Sequence, residues 1–257
     1  MSSHPTISVI TVCFNSEAYI ADALRSVDIQ TFQDREHLVI DGASTDATLR
    51  IVGEHQKAWR RVLSERDRGI YDAMNKGISL ARGDIIGFIN SDDLYASSTV
   101  LEKVAAIFED KSIQACFGDL CYVRQNDISE IVRYWRSGPF APGLFLRGWC
   151  PPHPTLFLRR EVYEQFGGFD LQYKIASDVD LMARFFELHR IRSVHLPKVL
   201  VTMRMGGTTN RSLRNILQQN REIWRALKAH GLRPSLLTFV IGKLISRARR
   251  FIARPAP

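Results

Sequence analysis

Two adjacent carboxylates, Asp92 and Asp93, come two residues after an apolar run at residues 85–89. The run predicts a strand that is buried on both faces, as strands are in a parallel sheet. Open α/β sheets bind their ligands at the carboxyl ends of the strands. Two carboxylates there could hold a hard divalent cation together with water and phosphate oxygens. The alternative is that one of them merely caps the next predicted helix, at residues 99–108.

Asp41 stands at the end of another apolar run, residues 38–40. The polar turn that follows leads into a helix with Leu49 and Val52 on its apolar side, and this order predicts a nucleotide-binding sheet. The turn lacks the glycine spacing that cradles phosphates, which disfavours dinucleotide and P-loop sites. A carboxylate here could accept hydrogen bonds from a base or a ribose, although an Asp-Gly turn also explains it.

A third polar segment precedes another predicted helix. Ile70, Met74 and Ile78 recur at intervals of four residues and predict one core-facing side. Arg68, just ahead of this helix, and Lys76, within it, could contact phosphates or a base. A solvated helix face explains Lys76 equally well.

The composition favours one large α/β domain, or a domain with an appendage. The chain has 257 residues, of which 45% are hydrophobic, enough for a sizeable core. We expect no signal peptide, because only a short polar stretch precedes a strand predicted at residues 7–12. No run approaches the roughly 18 apolar residues of a membrane span. The four cysteines lack CxxC spacing, which predicts ordinary thiols in a reducing cytosol and disfavours zinc.

The net charge of +8 lies in the C-terminal segment. From Arg211 onward there are 11 lysines and arginines and one acid, Glu222, so this segment carries +10 and the first 210 residues together carry −2. The nearly neutral body disfavours nucleic-acid binding, and the basic end predicts contact with an anionic surface.

Three motifs occur in order along the first half of the chain: DGASTDAT from Asp41, DRGIYDAMNKGI from Asp67 and NSDD from Asn90. In this order and spacing they resemble the family 2 glycosyltransferases of GT-A fold, and the resemblance covers residues 5 to about 209. It implies an α/β fold with a Rossmann-like, mixed but mainly parallel central sheet flanked by helices. It also implies a nucleotide-diphosphate sugar as the donor.

The resemblance assigns roles to single residues. The family's DxD-type motif binds Mn²⁺ or Mg²⁺ and corresponds here to residues 91–93, with a serine where many members have the first aspartate. It implies that Asp93 is the metal ligand, that Asp92 faces the ribose or a metal-bound water, and that Asp41 contacts the nucleobase. We expect the nucleotide-sugar site to be completed by Thr11, Asn15, Arg68, Lys76 and Arg204.

The second half of the chain supplies the expected acceptor side and catalytic base. Residues 137–154 are rich in proline, glycine and aromatics, which favours an acceptor-binding loop, with Trp149 and His153 as contacts. The alternative is a surface loop packed by its own aromatics. Asp178 begins a predicted helix where family members carry the catalytic base, after a serine in place of the usual glutamate. A plain charge at a helix N-terminus is the alternative role for it, and Asp180 is the alternative base.

Short strands should complete the sheet, at residues 113–118, 121–123, 191–196 and 199–203. His195 lies in one of these and is expected to be structural. Residues 204–210 are polar and contain glycine, which predicts a flexible lid over the diphosphate with Arg204 as a contact.

Two amphipathic helices are predicted after residue 210. The second carries apolar residues on one face with basic residues beside them, which predicts an interfacial helix on anionic lipid. Docking on the body or on a homodimer partner is the alternative. We therefore divide the chain into a catalytic domain at 1–210, with a nucleotide-sugar half at about 5–118 and an acceptor half at 119–210, and a basic helical tail at 211–257.

These expectations combine into a cytoplasmic, metal-dependent, inverting glycosyltransferase held at the inner face of the cytoplasmic membrane. Its acceptor would be a saccharide or lipid-linked saccharide in exopolysaccharide or lipopolysaccharide biosynthesis. One alternative is a metal-dependent nucleotidyltransferase, although the glycine-rich basic loop expected of that class is absent from residues 11–17. The other is a nucleotide-sugar-binding protein without catalysis.

Overall fold

The first half of the chain alternates strands and helices around a parallel sheet. The computed structural model describes residues 6–206 and 213–252. The elements up to residue 88 are β1 (Ile7–Cys13), α1 (Ile20–Asp28), β2 (Arg35–Asp41), α2 (Thr48–Glu54), β3 (Arg60–Ser64), α3 (Ile70–Leu80) and β4 (Ile85–Phe88). β1 pairs in parallel with β2 and with β4, and β2 pairs in parallel with β3. β1 and β4 are buried along their whole length, which explains their apolar sequences.

The second half extends this sheet with strands of both directions. Its elements are β5 (Asp93–Tyr95), α4 (Val100–Ile107), β6 (Ala115–Val123), β7 (Ile131–Trp135), β8 (Phe157–Arg159), α5 (Arg160–Phe166), α6 (Ser177–Ala183), β9 (Ser193–Arg204), α7 (Leu213–Ala229) and α8 (Leu236–Ile252). The strand order is β3-β2-β1-β4-β8-β6-β9-β5, with β7 paired to β6. The predicted α/β fold, a mainly parallel mixed sheet flanked by helices, is confirmed.

Some local predictions differ from the structure. The four short strands predicted in the second half are two long ones, β6 and β9, whose mutual register shifts near Asp119. Pro197 lies within β9 and has no N–H to donate, so the sequence there gives a weak strand signal. Neither Asp92 nor Asp93 caps α4, because Asp93 begins β5 and Thr99 immediately precedes the helix. The capping alternative is therefore wrong.

The sheet has a hydrophobic core on each face. Ile10 and Val12 of β1 belong to a cluster that includes residues of α3 and α6. Ile7 and Val9, on the alternate positions, belong to a second cluster with residues of α4. This alternation is the two-residue period of a strand, and it fixes which side of the sheet each helix covers.

The C-terminal helices pack on the body of the protein. Ile223 and Leu227 of α7 are buried in the same cluster as residues of α6. α8 lies against the 3₁₀ turn Phe145–Arg147, so closely that a Cβ at Gly242 would overlap the carbonyl oxygen of Arg147. One side of the C-terminal tail is therefore docked on the body of the protein, which was the alternative to membrane binding.

Of the predicted lid at residues 204–210, Arg204 ends β9 and residues 205–206 form a turn. Residues 207–210 and the domain boundary near residue 210 lie outside the described ranges, so the lid and the boundary stay predictions. Within those ranges no helix combines the length and the apolar character needed to cross a membrane.

Two helical glycines differ in their surroundings and predict opposite effects of alanine. A Cβ at Gly77, in α3, would lie 2.5 Å from Cγ2 of the buried Ile10, whereas a Cβ at the exposed Gly53, in α2, would meet nothing within 4 Å. Alanine favours a helix by up to about 1 kcal/mol, but overpacking a core costs about 1–3 kcal/mol. Gly77→Ala should therefore lower the free energy of unfolding, and Gly53→Ala should leave it unchanged or raise it.

Urea unfolding of both variants, followed by circular dichroism, measures this difference. A Gly77→Ala protein as stable as Gly53→Ala would show that α3 does not need this close approach to β1.

Candidate active site

The parallel strands β1, β2 and β3 end on one edge of the sheet, and Asp41 is buried there. Its carboxylate accepts hydrogen bonds from the Ser44 N–H at 2.9 Å, from the Ser64 hydroxyl at 2.7 Å and from the Ser44 hydroxyl. The Cys13 thiol also points at it, and burial together with this carboxylate raises the pKa of that thiol. These contacts describe the Asp-Gly turn that the sequence allows, and a nucleobase contact of Asp41 stays a prediction.

The loop after β1 connects this turn to the carboxylate pair. Asn15 has a positive φ of 48°, and its side-chain oxygen accepts the Thr45 N–H at 2.9 Å. The hydroxyls of Ser16 and Ser91 are hydrogen-bonded at 2.9 Å. Asn15, as predicted, therefore lies at the edge of the sheet between the Asp41 turn and residues 91–93.

The side chain of Thr11 lies inside the protein, on β1. It is fully buried within β1, and its hydroxyl is hydrogen-bonded to the His37 Nε2 atom at 2.9 Å. The prediction that this side chain binds the donor is wrong. The sequence alone could not show this, because the position of a threonine along a strand does not reveal its partner on the next strand.

Asp93 is fully buried and only partly satisfied. One of its oxygens accepts from the Asn90 amide at 3.2 Å, and the other, Oδ1, is buried without a hydrogen-bond partner among the described residues. Burial, and then the neighbouring Asp92, raise the pKa of Asp93 well above its usual value. An unpaired buried carboxylate oxygen is costly, and coordination of a cation removes that cost.

This environment fits a divalent cation for which the protein supplies only some of the ligands. The described residues contain no cluster of three or more His, Cys, Asp and Glu side chains that could enclose an ion. Asp93, with Asp92 beside it, would supply the protein ligands, and Mg²⁺-type sites commonly take their other ligands from water and substrate phosphates.

Arg204 joins the carboxylate pair to the second half of the chain. It is the last residue of β9, whose Met203 pairs with Asp93. Its guanidinium donates to the Asp92 carbonyl at 3.0 Å and to the Asp22 carboxylate at 2.5 Å. Arg204 is therefore beside the predicted metal site, but in a strand and buried, not in a loop as the sequence suggests.

A cavity of about 470 Å³ contains both Arg204 and Asp178 in its wall. Trp149 and His153, the predicted acceptor contacts, line the same cavity, as does Lys243 of α8. The structure therefore places the predicted base, the predicted acceptor residues and the arginine that contacts Asp92 around one space.

Asp178 is the second residue of α6 and is partly buried. Its Oδ1 accepts from the Tyr71 hydroxyl at 3.1 Å. Burial raises the pKa of Asp178 to about 6, although the Val179 N–H and the Tyr71 hydroxyl favour its ionised form. A carboxyl with this pKa is ionised at neutral pH and is a stronger base than an ordinary aspartate.

Sequence reasoning missed Tyr71 and kept Asp180 as an alternative base. Tyr71 belongs to the DRGIYDAMNKGI motif, so the motif was the available signal, but its partner is 107 positions away. Asp180 is 2% exposed and hydrogen-bonded to His230 at 2.8 Å, outside the cavity wall. The alternative that Asp180 is the base is therefore wrong.

Arg68 and Lys76 lie at α3 and have partners on the protein. The Arg68 guanidinium pairs with Asp72 at 2.9 Å. The Lys76 ammonium pairs with Glu65 at 2.8 Å and donates to a backbone carbonyl. These contacts fit the solvated helix face that the sequence allows for Lys76, and donor contacts of both residues stay predictions.

The aromatic loop is packed by its own rings. The Trp149 indole donates to the Ser137 carbonyl at 2.7 Å and meets the Phe145 ring edge-on at 5.3 Å. His153 is buried, its Nε2 has no hydrogen-bond partner in the part of the chain that the structure describes, and burial lowers its pKa to about 4. The loop thus combines the two alternatives, since its aromatics pack together and also form one wall of the cavity.

Comparison with known proteins identifies the class. Residues 8–167 match the family described as Glycosyl transferase family 2. A PGL/p-HBAD biosynthesis glycosyltransferase of Mycobacterium bovis is 30% identical over 211 residues, which cover 80% of this chain and 80% of that protein. The chain belongs to glycosyltransferase family 2. This membership supports the predicted glycosyltransferase and not the nucleotidyltransferase.

Solved structures share the fold at lower identity. TarS 1–349 of S. aureus superposes with a TM-score of 0.69 and is 22% identical, covering 95% of this chain and 73% of that one. It has also been solved in complex with UDP-GlcNAc. The mannosyltransferase PcManGT of Pyrobaculum calidifontis, in complex with GDP-Man and Mn²⁺, has a TM-score of 0.66 and is 19% identical, covering 100% and 78%.

The Tyr71 hydrogen bond predicts how Asp178 titrates. A hydroxyl that donates to a carboxylate favours the ionised form, so Tyr71→Phe should raise the pKa of Asp178 above its value of about 6. Carboxyl ¹³C NMR of aspartate-labelled protein measures the titration, with Asp178→Asn to assign the resonance.

Tyr163→Phe is the matched control, because it removes a buried hydroxyl of α5 that is not bonded to Asp178. An Asp178 titration that is identical in the Tyr71→Phe and unaltered proteins would contradict this hydrogen bond.

Proposed function

We propose that this glycosyltransferase moves a sugar from a nucleotide-diphosphate sugar to a hydroxyl group of a saccharide or lipid-linked saccharide, with inversion at the anomeric carbon. The observation that carries the proposal is the shared cavity. Asp178, with a pKa raised to about 6, lines it together with Arg204, whose guanidinium contacts the backbone of Asp92 next to Asp93. One base and one diphosphate site across a single space suit a direct displacement.

In this proposal Asp178 accepts the proton of the acceptor hydroxyl as that oxygen attacks the anomeric carbon. The Tyr71 hydroxyl orients the carboxylate and keeps it ionised at neutral pH. The bond from the anomeric carbon to the diphosphate oxygen breaks on the opposite side, and the sugar is therefore inverted. The aromatic wall with Trp149 and His153 orients the acceptor and excludes water.

Asp93 and Asp92 would hold the divalent cation, Mn²⁺ or Mg²⁺. Such an ion, when bound, neutralises the charge that develops on the departing diphosphate. The unpartnered, buried Oδ1 of Asp93 supports this role, and so does the Mn²⁺ present with GDP-Man in the PcManGT complex. Asp41, Asn15 and the loops beside them are proposed to hold the nucleoside part of the donor.

The outer side of α8 supports a place at the membrane. Its exposed apolar residues lie next to a groove between α7 and α8 whose wall includes two cations, Arg221 and Lys243. The exposed side chains are Leu236, Leu237, Val240, Ile241, Leu244 and Ile245. An amphipathic helix with neighbouring cations suits the surface of an anionic bilayer. We infer that the enzyme works on the inner face of the cytoplasmic membrane, where a lipid-linked acceptor in polysaccharide biosynthesis would be available.

Asp178→Asn should separate chemistry from donor binding. An amide cannot accept the proton, so transfer should fall by about 10²–10⁴-fold. Binding of the donor and of Mn²⁺ should stay unchanged. Release of nucleoside diphosphate from a panel of nucleotide sugars, with and without metal and acceptor, measures transfer, and calorimetry measures donor binding.

Asp127→Asn, in an exposed turn after β6, is the control for loss of a carboxylate. Transfer by Asp178→Asn at the rate of this control would refute the assignment of the base. Donor binding without any release of diphosphate in the unaltered protein would favour the non-catalytic alternative.

The membrane proposal predicts a loss of vesicle binding on charging the outer face of α8. Leu237 is 69% exposed and Leu244 is 62% exposed, so glutamate at both positions should fold normally but repel anionic lipid. Sedimentation with vesicles of phosphatidylglycerol and phosphatidylcholine measures binding.

Ile128→Glu changes an equally apolar residue, 49% exposed, in the turn before β7. It should bind vesicles like the unaltered protein. Equal binding by the Leu237→Glu, Leu244→Glu double variant would show that α8 does not mediate contact.

A further inference from the structure

Glu222 is the single acid in a C-terminal segment that carries 11 basic residues. It lies in α7, beyond the residues that match the family, and its side chain is partly buried. One oxygen, Oε2, accepts the Ile175 N–H at 2.9 Å and the Ala176 N–H at 3.1 Å. The other, Oε1, accepts the Gln218 amide at 2.9 Å. The carboxylate is therefore bound to the two residues that lead into the helix of Asp178.

This contact lies just ahead of a helix, α6, that has no side-chain cap of its own. Ala176 stands at the N-cap of α6, where serine, threonine, aspartate or asparagine would normally accept a backbone N–H. The hydroxyl of Ser177 donates instead to the Asp170 carbonyl at 2.8 Å. A carboxylate from another helix thus accepts the N–H groups ahead of α6, at the end of the helix that favours negative charge.

The same short segment is held from the opposite direction by α3. The Tyr71 hydroxyl lies 3.0 Å from the Ile175 carbonyl and 3.1 Å from the Asp178 carboxylate. The Ile175 carbonyl is therefore within hydrogen-bond distance of the Tyr71 hydroxyl, and the Ile175 N–H donates to Glu222. Because the Tyr71 hydroxyl is within hydrogen-bond distance of both groups, we expect displacement of Ile175 to disturb the contact between Tyr71 and Asp178.

α7 is fixed to α6 by further contacts, and these contacts also hold Glu222 in place. The His230 ring is hydrogen-bonded to Asp180 at 2.8 Å. Ile223 and Leu227 are 4% and 1% exposed. Glu222 itself is not part of the cavity wall, unlike its neighbour Ile223. Its effect on an acceptor must therefore pass through Asp178.

We propose that Glu222 is a positioning residue for the reaction: by holding the N–H groups of Ile175 and Ala176, it sets Asp178 against Tyr71 and toward the cavity. The inference rests on the proposed role of Asp178 as the base. It gives one residue of α7, Glu222, a part in positioning the base, so this helix is more than an appendage. The Tyr71 hydroxyl and Lys243 of α8 favour the ionised form of Asp178, and the other charged or titratable residues described in the cavity wall are Tyr122, Arg133, Cys150, His153 and Arg204.

Three substitutions at one position test this role. Glu222→Ala removes the acceptor, and Glu222→Asp withdraws it by one methylene. Both should lower kcat by about 10- to 100-fold through misplacement of the base and leave the KM for the donor unchanged. Both should also raise the pKa of Asp178, because its bond from Tyr71 is weakened. Glu222→Gln keeps an acceptor oxygen and should restore most of kcat.

Lys228→Gly is the control for a merely structural effect. Lys228 is exposed on α7, and glycine there should destabilise the helix without touching the segment before Asp178. It should lower Tm but leave kcat and the Asp178 titration unchanged. If Glu222→Ala does not fold, the contrast between Glu222→Asp and Glu222→Gln carries the test.

The outcomes separate this inference from the proposed function. If the Glu222→Ala and Glu222→Asp variants lower Tm while kcat and the pKa of Asp178 stay as in the unaltered protein, the positioning role is refuted. If the unaltered protein transfers no sugar from any donor, the proposed function fails, but carboxyl ¹³C NMR of Asp178 still decides whether Glu222 sets its position.

Discussion

The parallel pairing of β1 with β2 on one side and β4 on the other is the constraint on which the site depends. It brings the loops after these strands to one edge of the sheet, so that residues far apart in sequence become neighbours. The Asp41 turn, the loop of Asn15 and the Asp92–Asp93 pair are joined there by hydrogen bonds through Ser44, Ser16 and Ser91. Without this register there would be no common edge for a donor.

Three aspartates of the protein have three different environments. Asp41 accepts hydrogen bonds from serine donors, Asp93 is buried with one oxygen unpartnered among the described residues, and Asp178 accepts from the Tyr71 hydroxyl and the Val179 N–H beside a cavity. Burial raises the pKa of Asp93 and of Asp178, and the hydrogen bonds donated to each carboxylate partly offset that rise. The same type of side chain can thus stabilise a turn, bind a cation or accept a proton, depending on its surroundings.

Part of this arrangement could be predicted from the sequence. Strands buried on both faces keep continuous apolar runs, so β1 and β4 were recognisable, and a carboxylate that follows such a run must lie at the ligand edge. The structure brings Asp178 and Arg204 to the wall of one cavity, which Asp93 does not line, and the roles predicted for these three residues stay predictions. The tyrosine partner of Asp178, the burial of Thr11 and the role of Asp180 depend on contacts between distant segments, which local patterns do not encode. The same holds for α7, whose amphipathic pattern shows that it buries one face but not what that face meets.

The close approach of α8 to the turn Phe145–Arg147 bears on how binding in the cavity and binding in the outer groove are coupled. Gly242 brings helix backbone against loop backbone, and Phe239 and Lys243, on either side of it, belong both to the cavity and to the outer groove. α8 therefore forms part of the cavity wall on one side and part of the groove wall on the other, and at Gly242 its backbone lies directly against the loop. By thermodynamic linkage, a ligand that shifts α8 from its outer side would also change the affinity for what the cavity holds, and the reverse is equally true.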